Sequence, residues 1–214
     1  MRSDRPVRST VILDRDGVIN VNRHDYVKRW EDFEFLPRAL EGLALLTDYG
    51  CDLMIATNQS VVGRGLVTSA ALDALHSRML AAIARHGGRV RAVLYCPHRP
   101  EEGCACRKPR PGLLFQARNE LGVELADAIV VGDHPTDIEA GRRAGCRSIL
   151  VLSGRTEEVP ADLLLGADSA GCSAVVPDLL AAAEWIVAQS HAGPAPDQAG
   201  GHRPRGTAAV ARGS

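Results

Sequence analysis

The sequence lacks any apolar run that approaches the roughly 18 residues a membrane-spanning helix needs. Its N-terminus, MRSDRPVRST, is polar and has none of the apolar core of a secretory signal. The first absence argues against an integral membrane protein of the helical type, and the second favours the cytoplasm. We therefore expect a cytoplasmic protein.

An excess of one charge sign is also absent, since 25 basic and 26 acidic residues leave a formal net charge of −1. This balance gives no long-range attraction to nucleic acid or to an anionic membrane surface, and we expect neither as a partner. No exposed apolar stripe stands out along the sequence, so we expect a monomer.

Aromatic residues are scarce at 4%, yet 45% of the 214 residues are hydrophobic, most of them Ala, Leu and Val. That content suits one globular domain with a sizeable core, which we place at residues 1–190. Residues 191–214 are rich in Gly, Ala and Pro and show no apolar periodicity. We expect a disordered tail there.

Strand-like and helix-like segments alternate along the chain. Strands are predicted at residues 7–13, 51–56, 90–95, 127–131 and 147–152. Helices are predicted at residues 37–49, 68–86, 111–121, 135–144 and 177–189. This order predicts an α/β fold, a Rossmann-like three-layer sandwich with a central parallel sheet. Ligands of such sheets bind beyond the carboxyl ends of the strands.

Two carboxylates, Asp14 and Asp16, follow the first predicted strand in LDRDGVIN. One carboxylate of such a pair can act as a nucleophile that forms an acyl phosphate, and the other as general acid and base. The alternative is a solvated Asp-Arg-Asp turn, which a strand followed by two acids does not exclude.

Further polar residues follow the other predicted strands. Thr57 can donate a hydroxyl hydrogen bond to a phosphoryl oxygen, or cap a turn. Arg107 and Lys108 can bind an anion, or form an exposed basic turn. Asp133 and Asp137, in GDHPTD, are of the type that Mg²⁺ prefers, although Asp137 can instead cap the following helix.

Three of the six cysteines lie close together with one histidine. The other three, Cys51, Cys146 and Cys172, are scattered, and we expect them to be inert thiols. The clustered residues are Cys96, His98, Cys104 and Cys106. Three thiolates and one imidazole form a closed ligand set for structural Zn²⁺. A disulfide leaves one thiol unpaired, and reduced free thiols fit an exposed loop poorly. We therefore predict a zinc-binding loop at residues 96–106.

Taken together, DRDG, TNQS, RKPRPG and GDHPTD resemble, in order and placement, the motifs of the haloacid dehalogenase superfamily of phosphohydrolases. The resemblance implies Asp14 as nucleophile and Asp16 as general acid and base. It implies that Thr57 and Lys108 stabilise the phosphoryl group, and that Asp14, Asp133 and the main-chain carbonyl of Asp16 hold Mg²⁺.

Spacing adds one expectation, because only 40 residues lie between Asp16 and Thr57 and 50 between Thr57 and Lys108. Each interval has room for about one strand–helix unit. We therefore expect an open site without the large cap domain that many members of the superfamily carry.

Within the superfamily, INVNRHDYV, FEFLP and the cysteine loop resemble the D-glycero-D-manno-heptose 1,7-bisphosphate 7-phosphatases. The resemblance implies a phosphorylated sugar as substrate. The substrate contacts that it implies are Asn22, Arg23, His24, Thr57, Asn58, Gln59, Ser60, Arg107, Lys108 and His134. His134 is a departure, since many of these enzymes have Lys there, and SVVGRGLV also differs from their usual SGIARG.

Two other functions stay open at this point. Histidinol-phosphate phosphatases share the zinc loop, so histidinol phosphate or another small sugar phosphate is an alternative substrate. A zinc-stabilised binding module without turnover is the other alternative. It would require a damaged nucleophile, whereas Asp14, Asp16, Thr57, Lys108 and Asp133 are all present.

Overall fold

The computed structural model describes residues 9–154 and 172–191. Over these ranges the strands are β1 Thr10–Leu13, β2 Asp52–Asn58, β3 Val90–Cys96, β4 Ile129–Gly132, β5 Arg147–Val151 and β6 Cys172–Val176. The α-helices over the same ranges are α1 Ala39–Tyr49, α2 Ser60–Gly63, α3 Ser69–Arg85, α4 Gly112–Leu121, α5 Pro135–Ala144 and α6 Leu179–His191. Short 3₁₀ helices lie at Trp30–Asp32, Pro100–Glu102 and Leu125–Asp127.

The six strands form one parallel sheet in the order β3-β2-β1-β4-β5-β6. Starting from β1, the chain first adds β2 and β3 on one side of it and then adds β4, β5 and β6 on the other side. The reversal leaves a crevice beyond the carboxyl ends of β1 and β4, which is where open parallel sheets bind their ligands. The predicted Rossmann-like fold is confirmed.

Both faces of the sheet are covered, and side chains of each strand alternate between two cores. Val11 and Leu13 of β1 pack in one core with α1, α3 and α6, whereas Ile12 packs in the other with α4. A strand buried on both faces reads as a continuous apolar run, as β1 and β4 do. The two cores fix the sheet from both sides and leave its carboxyl edge for polar side chains.

Most predicted elements are present with small shifts at their ends. Helix α1 begins at Ala39 and not at residue 37, because Arg38 has a left-handed backbone, with φ of 62°. Strand β2 continues two residues further than predicted, since Thr57 and Asn58 still pair with β3. The sequence analysis missed α2 and β6, two short elements of four and five residues.

Between residues 9 and 154 no additional domain is inserted among the strands, so the expectation of no large cap is confirmed for this part of the chain. Within the described ranges, no helix has the length and apolar character needed to cross a bilayer. Residues 7 and 8 of the first predicted strand, and residues 192–214 of the predicted tail, lie outside the described residues.

A matched pair of leucines tests the assignment of the core. Leu43 of α1 is fully buried, with 0% of its surface exposed, whereas Leu66 is 54% exposed. Leu43→Ala should lower the free energy of unfolding by about 2–5 kcal/mol, because it removes buried methyl groups and leaves a cavity. Leu66→Ala should change it by less than about 0.5 kcal/mol. Urea unfolding measures both, and equal effects would contradict the packing described.

Candidate active site

The site begins with Asp14 and Asp133, which follow the neighbouring strands β1 and β4. The Asp14 N–H donates to the Val131 carbonyl at 2.8 Å, so the first residue after β1 is still held by β4. The switch in strand order therefore brings together two carboxylates that are far apart in sequence. This juxtaposition confirms that the two motifs meet at one edge of the sheet.

Asp137 joins them from the first turn of α5. Carboxylate oxygens of Asp14, Asp133 and Asp137 lie within 4.8 Å of one another. One oxygen of Asp137 also accepts the His134 N–H at 3.1 Å, which caps the helix. The sequence allowed Asp137 either to cap the helix or to lie in the metal site. Its side chain does the two together, since it caps α5 and lies in the carboxylate cluster.

Lys108 points into this acidic cluster and is only 5% exposed. Its Nζ lies 2.9 Å from Asp14 Oδ1 and 2.6 Å from Asp137 Oδ1, and it donates to the Ala56 carbonyl at 2.7 Å. An ammonium group has three protons to donate, and three oxygens lie close to this one. Although burial disfavours the charged form, Asp137 and Asp14 raise the pKa of Lys108 above its usual value.

The nucleophile candidate lies among like charges. Burial raises the pKa of Asp14 to about 7 in spite of Lys108, and the neighbouring carboxylates of Asp137 and Asp133 add to the rise. A divalent cation between these carboxylates would offset their repulsion and favour the ionised form of Asp14. The oxygen-rich, buried and net acidic cluster is thus the donor set that Mg²⁺ prefers.

Two glycines hold the Asp133 carboxylate in place. A Cβ atom at Gly17 or at Gly154 would overlap with the Asp133 side chain, and Gly17 also has φ of 90°, which favours glycine. The Ser153 hydroxyl donates to the Gly17 carbonyl at 2.8 Å. The loop after β5 is therefore tied to the loop after β1, with Asp133 enclosed between them.

The carboxylate of Asp16 points away from the acidic cluster and accepts hydrogen bonds from three side chains. Arg15 Nη2 lies 2.8 Å from both of its oxygens, Asn20 Nδ2 is 2.8 Å from Oδ1, and Gln59 Nε2 is 2.7 Å from Oδ2. Burial raises the pKa of Asp16, but the Arg15 charge and these hydrogen bonds hold it below its usual value. Gln59 Nε2 also donates to Thr57 Oγ1 at 3.0 Å, which links the two candidate catalytic side chains.

The segment after β2 also fixes the main chain of Lys108. Asn58 Oδ1 accepts the Lys108 N–H at 3.1 Å, and Asn58 Nδ2 donates to the Lys108 carbonyl at 3.2 Å. Asn58 pairs along the sheet with Cys96, the first residue of the cysteine cluster. A single side chain thus joins the sheet to the loop that carries Lys108. That Asn58 contacts the substrate stays a prediction.

The four predicted zinc ligands meet in one group. The Sγ atoms of Cys96, Cys104 and Cys106 and the Nδ1 atom of His98 are separated by 3.2–3.6 Å. A tetrahedral ion with Zn–S bonds of about 2.3 Å separates its sulfur ligands by roughly 3.8 Å, close to these distances. No disulfide joins the cysteines, all of which are free. The cluster is therefore suited to a four-coordinate metal with no open position.

A cavity of about 470 Å³ opens over Asp14. Of the predicted substrate contacts, the cavity is lined by Asn22, Arg23, Thr57, Asn58, Gln59, Ser60, Arg107, Lys108 and His134. His24 is exposed and is not among the lining residues. Arg23, Arg64 and Arg107 line this space together with the acidic cluster, so the cavity fits a polar ligand that carries anionic groups.

Sequence reasoning missed several polar residues of the site. Arg15 and Tyr26 line the cavity, and His76 contacts Arg15 from helix α3. Tyr26 has a left-handed backbone, with φ of 67°. Arg15 could have been found from its position between the two aspartates of DRDG. No local pattern distinguishes His76 from an ordinary core histidine.

Comparisons with known proteins agree with this geometry. A sequence profile of the HAD-hydrolase-like family matches residues 105–182. The chain is 43% identical over 148 residues to the D-glycero-beta-D-manno-heptose-1,7-bisphosphate 7-phosphatase of Pseudomonas aeruginosa, covering 69% of this chain and 83% of that one. It is 39% identical over 180 residues to the enzyme of the same name from Bordetella bronchiseptica, covering 84% of this chain and 98% of that one.

The fold is also similar to solved structures. The crystal structure of the D,D-heptose 1,7-bisphosphate phosphatase from B. bronchiseptica, complexed with magnesium and phosphate, superposes with a TM-score of 0.76. That pair is 39% identical in sequence, and the match covers 85% of this chain and 99% of the other. The likeness therefore extends over the whole sheet and not only over the matched motifs.

The role of Asn58 can be tested by stability. Asn58→Ala removes both hydrogen bonds to the Lys108 main chain, at roughly 0.5–1.5 kcal/mol each, so the free energy of unfolding should fall by about 1–3 kcal/mol. Asn119→Ala, on the exposed surface of α4, is the matched control and should change it by less than about 0.5 kcal/mol. Denaturant unfolding compares the two, and an Asn58 effect no larger than the control would contradict the clamp.

Proposed function

This chain belongs to the haloacid dehalogenase superfamily and is a phosphoric monoester hydrolase, and we propose that it removes the 7-phosphate of D-glycero-D-manno-heptose 1,7-bisphosphate. The observation that carries the proposal is the name shared by relatives at 43% and 39% identity, together with the intact cluster of Asp14, Lys108 and Asp133. A binding module without turnover has no need of such a buried and charged cluster.

In this proposal Asp14 attacks the phosphorus atom and forms an aspartyl phosphate. Lys108 lies 2.9 Å from Asp14, where it orients the carboxylate and offsets the negative charge of the incoming phosphate. Asp14, Asp133 and the main-chain carbonyl of Asp16 would hold Mg²⁺, with the carboxylate of Asp137 beside them. When bound, the ion supplies further positive charge to the phosphoryl oxygens.

Asp16 then transfers one proton in each step of the reaction. It gives a proton to the departing sugar oxygen and later takes one from the water that hydrolyses the aspartyl phosphate. Its side chain lines the cavity and is 20% exposed, so it is accessible to both partners. Thr57 Oγ1 accepts from Gln59, and its own proton remains available for a phosphoryl oxygen.

The heptose bisphosphate carries a second phosphate, which needs positive charge away from the nucleophile. Arg23, Arg64 and Arg107 line the same cavity and supply that charge. Histidinol phosphate, which carries a single phosphate, is the second candidate, because the phosphatases that act on it share the zinc loop. His134 lines the cavity where many heptose enzymes have Lys, and it is a predicted substrate contact at which this chain departs from them.

A substrate comparison with one variant tests this function. Phosphate release should be fastest from heptose 1,7-bisphosphate in the presence of Mg²⁺, and slower from histidinol phosphate. Asp14→Asn should lower turnover roughly a thousandfold or more, because the amide cannot act as the nucleophile. Asp127→Asn, an exposed acid at the opposite edge of the sheet, is the control and should keep full activity. Faster release from histidinol phosphate would favour the second candidate.

We further propose that Cys96, His98, Cys104 and Cys106 bind a structural Zn²⁺. Between Cys96 and Lys108 no side chain is buried, so this loop has no hydrophobic core of its own. A metal can supply the missing stabilisation, as it does in small metal-bound domains. The loop then holds Arg107 and Lys108 over the phosphate. The cytoplasmic location and the monomeric state stay predictions.

Metal analysis tests the zinc proposal. Purified protein should contain about one zinc per chain, and Cys106→Ser should lose most of it and show a lower melting temperature, because a closed site needs all four ligands. Cys51→Ser, outside the loop, should retain its zinc and its melting temperature. Activity of Cys106→Ser should fall as Lys108 loses its support. Zinc-free protein with unchanged stability and activity would contradict the structural role.

A further inference from the structure

A buried arginine lies behind the Asp16 carboxylate. Arg15 is among the largest fully buried side chains, with 1% of its surface exposed. Its Nη2 contacts Asp16, and its Nε has no hydrogen-bond partner among the described residues. A guanidinium group buried in this way is costly unless its position is fixed by partners on more than one side.

The second partner of Arg15 is His76. Arg15 Nη1 lies 3.0 Å from His76 Nε2. Because a guanidinium group can only donate, His76 Nε2 must accept, and the imidazole carries its proton on Nδ1. Burial and the charge of Arg15 lower the pKa of His76 to about 3, which agrees with a neutral ring. The contact therefore orients the guanidinium and adds no second charge.

His76 is itself held by the fold. It lies on the buried side of α3 with Leu72, Leu75 and Met79, and its ring packs edge-on against Tyr95 of β3, with ring centroids 5.7 Å apart. It is 61 residues from Arg15 in sequence and outside all four motifs. A rigid path thus runs from α3 through His76 and Arg15 to the carboxylate of Asp16.

We propose that His76 is a positioning residue which, through Arg15, holds the Asp16 carboxylate in the orientation that both of its proton transfers need. Among the described residues, every contact made to the Asp16 oxygens is a donor, from Arg15, Asn20 or Gln59. These donors fix the orientation of both oxygens, and Arg15, which contacts both, is itself fixed by His76. The inference rests on the proposed function.

Both steps of the reaction depend on this arrangement, because Asp16 transfers a proton in each. In the second step, water attacks the phosphorus of the aspartyl phosphate, and its proton passes to Asp16. The bond between phosphorus and the Asp14 oxygen breaks, and Asp14 leaves as a carboxylate while inorganic phosphate is released. Formation of the aspartyl phosphate, in which Asp16 gives a proton to the departing sugar oxygen, needs the same placement of the carboxyl group.

Two substitutions separate the role of the acceptor from that of packing. His76→Phe keeps the ring and its contact with Tyr95 but removes the acceptor for Arg15. His76→Gln offers a carbonyl oxygen in place of Nε2 and should restore the function. Met79→Leu, one turn further on the same buried face, is the packing control. If His76→Phe does not fold, Arg15→Lys serves instead, since the shorter chain cannot contact both Asp16 and His76.

Rapid quench with labelled substrate measures the two steps separately. In His76→Phe, the rate constants for formation and for decay of the aspartyl phosphate should both fall, each about tenfold or more. The value of kcat/KM, which reports formation of the intermediate, should fall with the first. His76→Gln and Met79→Leu should stay near wild type. No fall in His76→Phe, or no recovery in His76→Gln, would overturn the proposal.

A second measurement separates this inference from the proposed function. If the wild type forms no phosphorylated enzyme with any of the substrates, the proposed function fails. A crystal structure of His76→Phe then still tests the positioning role. The Asp16 carboxylate should leave its contacts with Gln59 and Asn20, and an unchanged carboxylate would overturn the inference.

Discussion

The site depends on one buried ammonium group. Lys108 lies between Asp14 and Asp137 at 2.9 and 2.6 Å, and without it three largely buried carboxylates would face one another at the base of the cavity. Removing one partner of a buried ion pair leaves an uncompensated charge, which is strongly destabilising. The loop after β3 must therefore deliver Lys108 accurately, and the features around that loop follow from this need. Asn58 fixes its main chain, and the cysteine cluster closes the loop that leads to it.

A second buried cation, Arg15, gives the two neighbouring aspartates opposite properties. Asp14 lies among like charges and its pKa is raised to about 7, whereas Asp16 is surrounded by donors and its pKa is lowered. Environments that move the pKa values of two nearby acids apart are typical of pairs with different roles in one reaction. The chain bends at Arg15, directly after β1, so that one side chain meets Lys108 and the other meets Arg15. Two residues of separation are therefore enough to place two acids in opposite environments.

The sequence allowed the fold and the composition of the site to be predicted, for a physical reason. Parallel strands that follow one another through helices end at one edge, so Asp14, Thr57, Lys108 and Asp133 had to converge once the strands were recognised. The cysteine and histidine cluster was recognisable because its spacing is local. His76 was not, because its role depends on a contact between residues 61 apart, and a histidine on a buried helix face carries no local sign of it. The contacts of the Asn58 amide with the Lys108 main chain were not recognisable for the same reason, since the two residues are 50 apart, whereas its contact with the substrate stays a prediction.

The position of the cysteine cluster indicates how a metal bound there, without an open coordination position, would still influence the site that Lys108 belongs to. Residues 97–107 contribute no buried side chain, and Arg107 Nη1 reaches only the His98 carbonyl, at 3.3 Å. Such a loop loses much conformational entropy when it is fixed, and hydrophobic burial does not offset that loss. Four ligands on one ion would offset it close to Lys108 without a larger core. A metal therefore suits this position, because it would stabilise the loop through four side chains that are not among those lining the cavity.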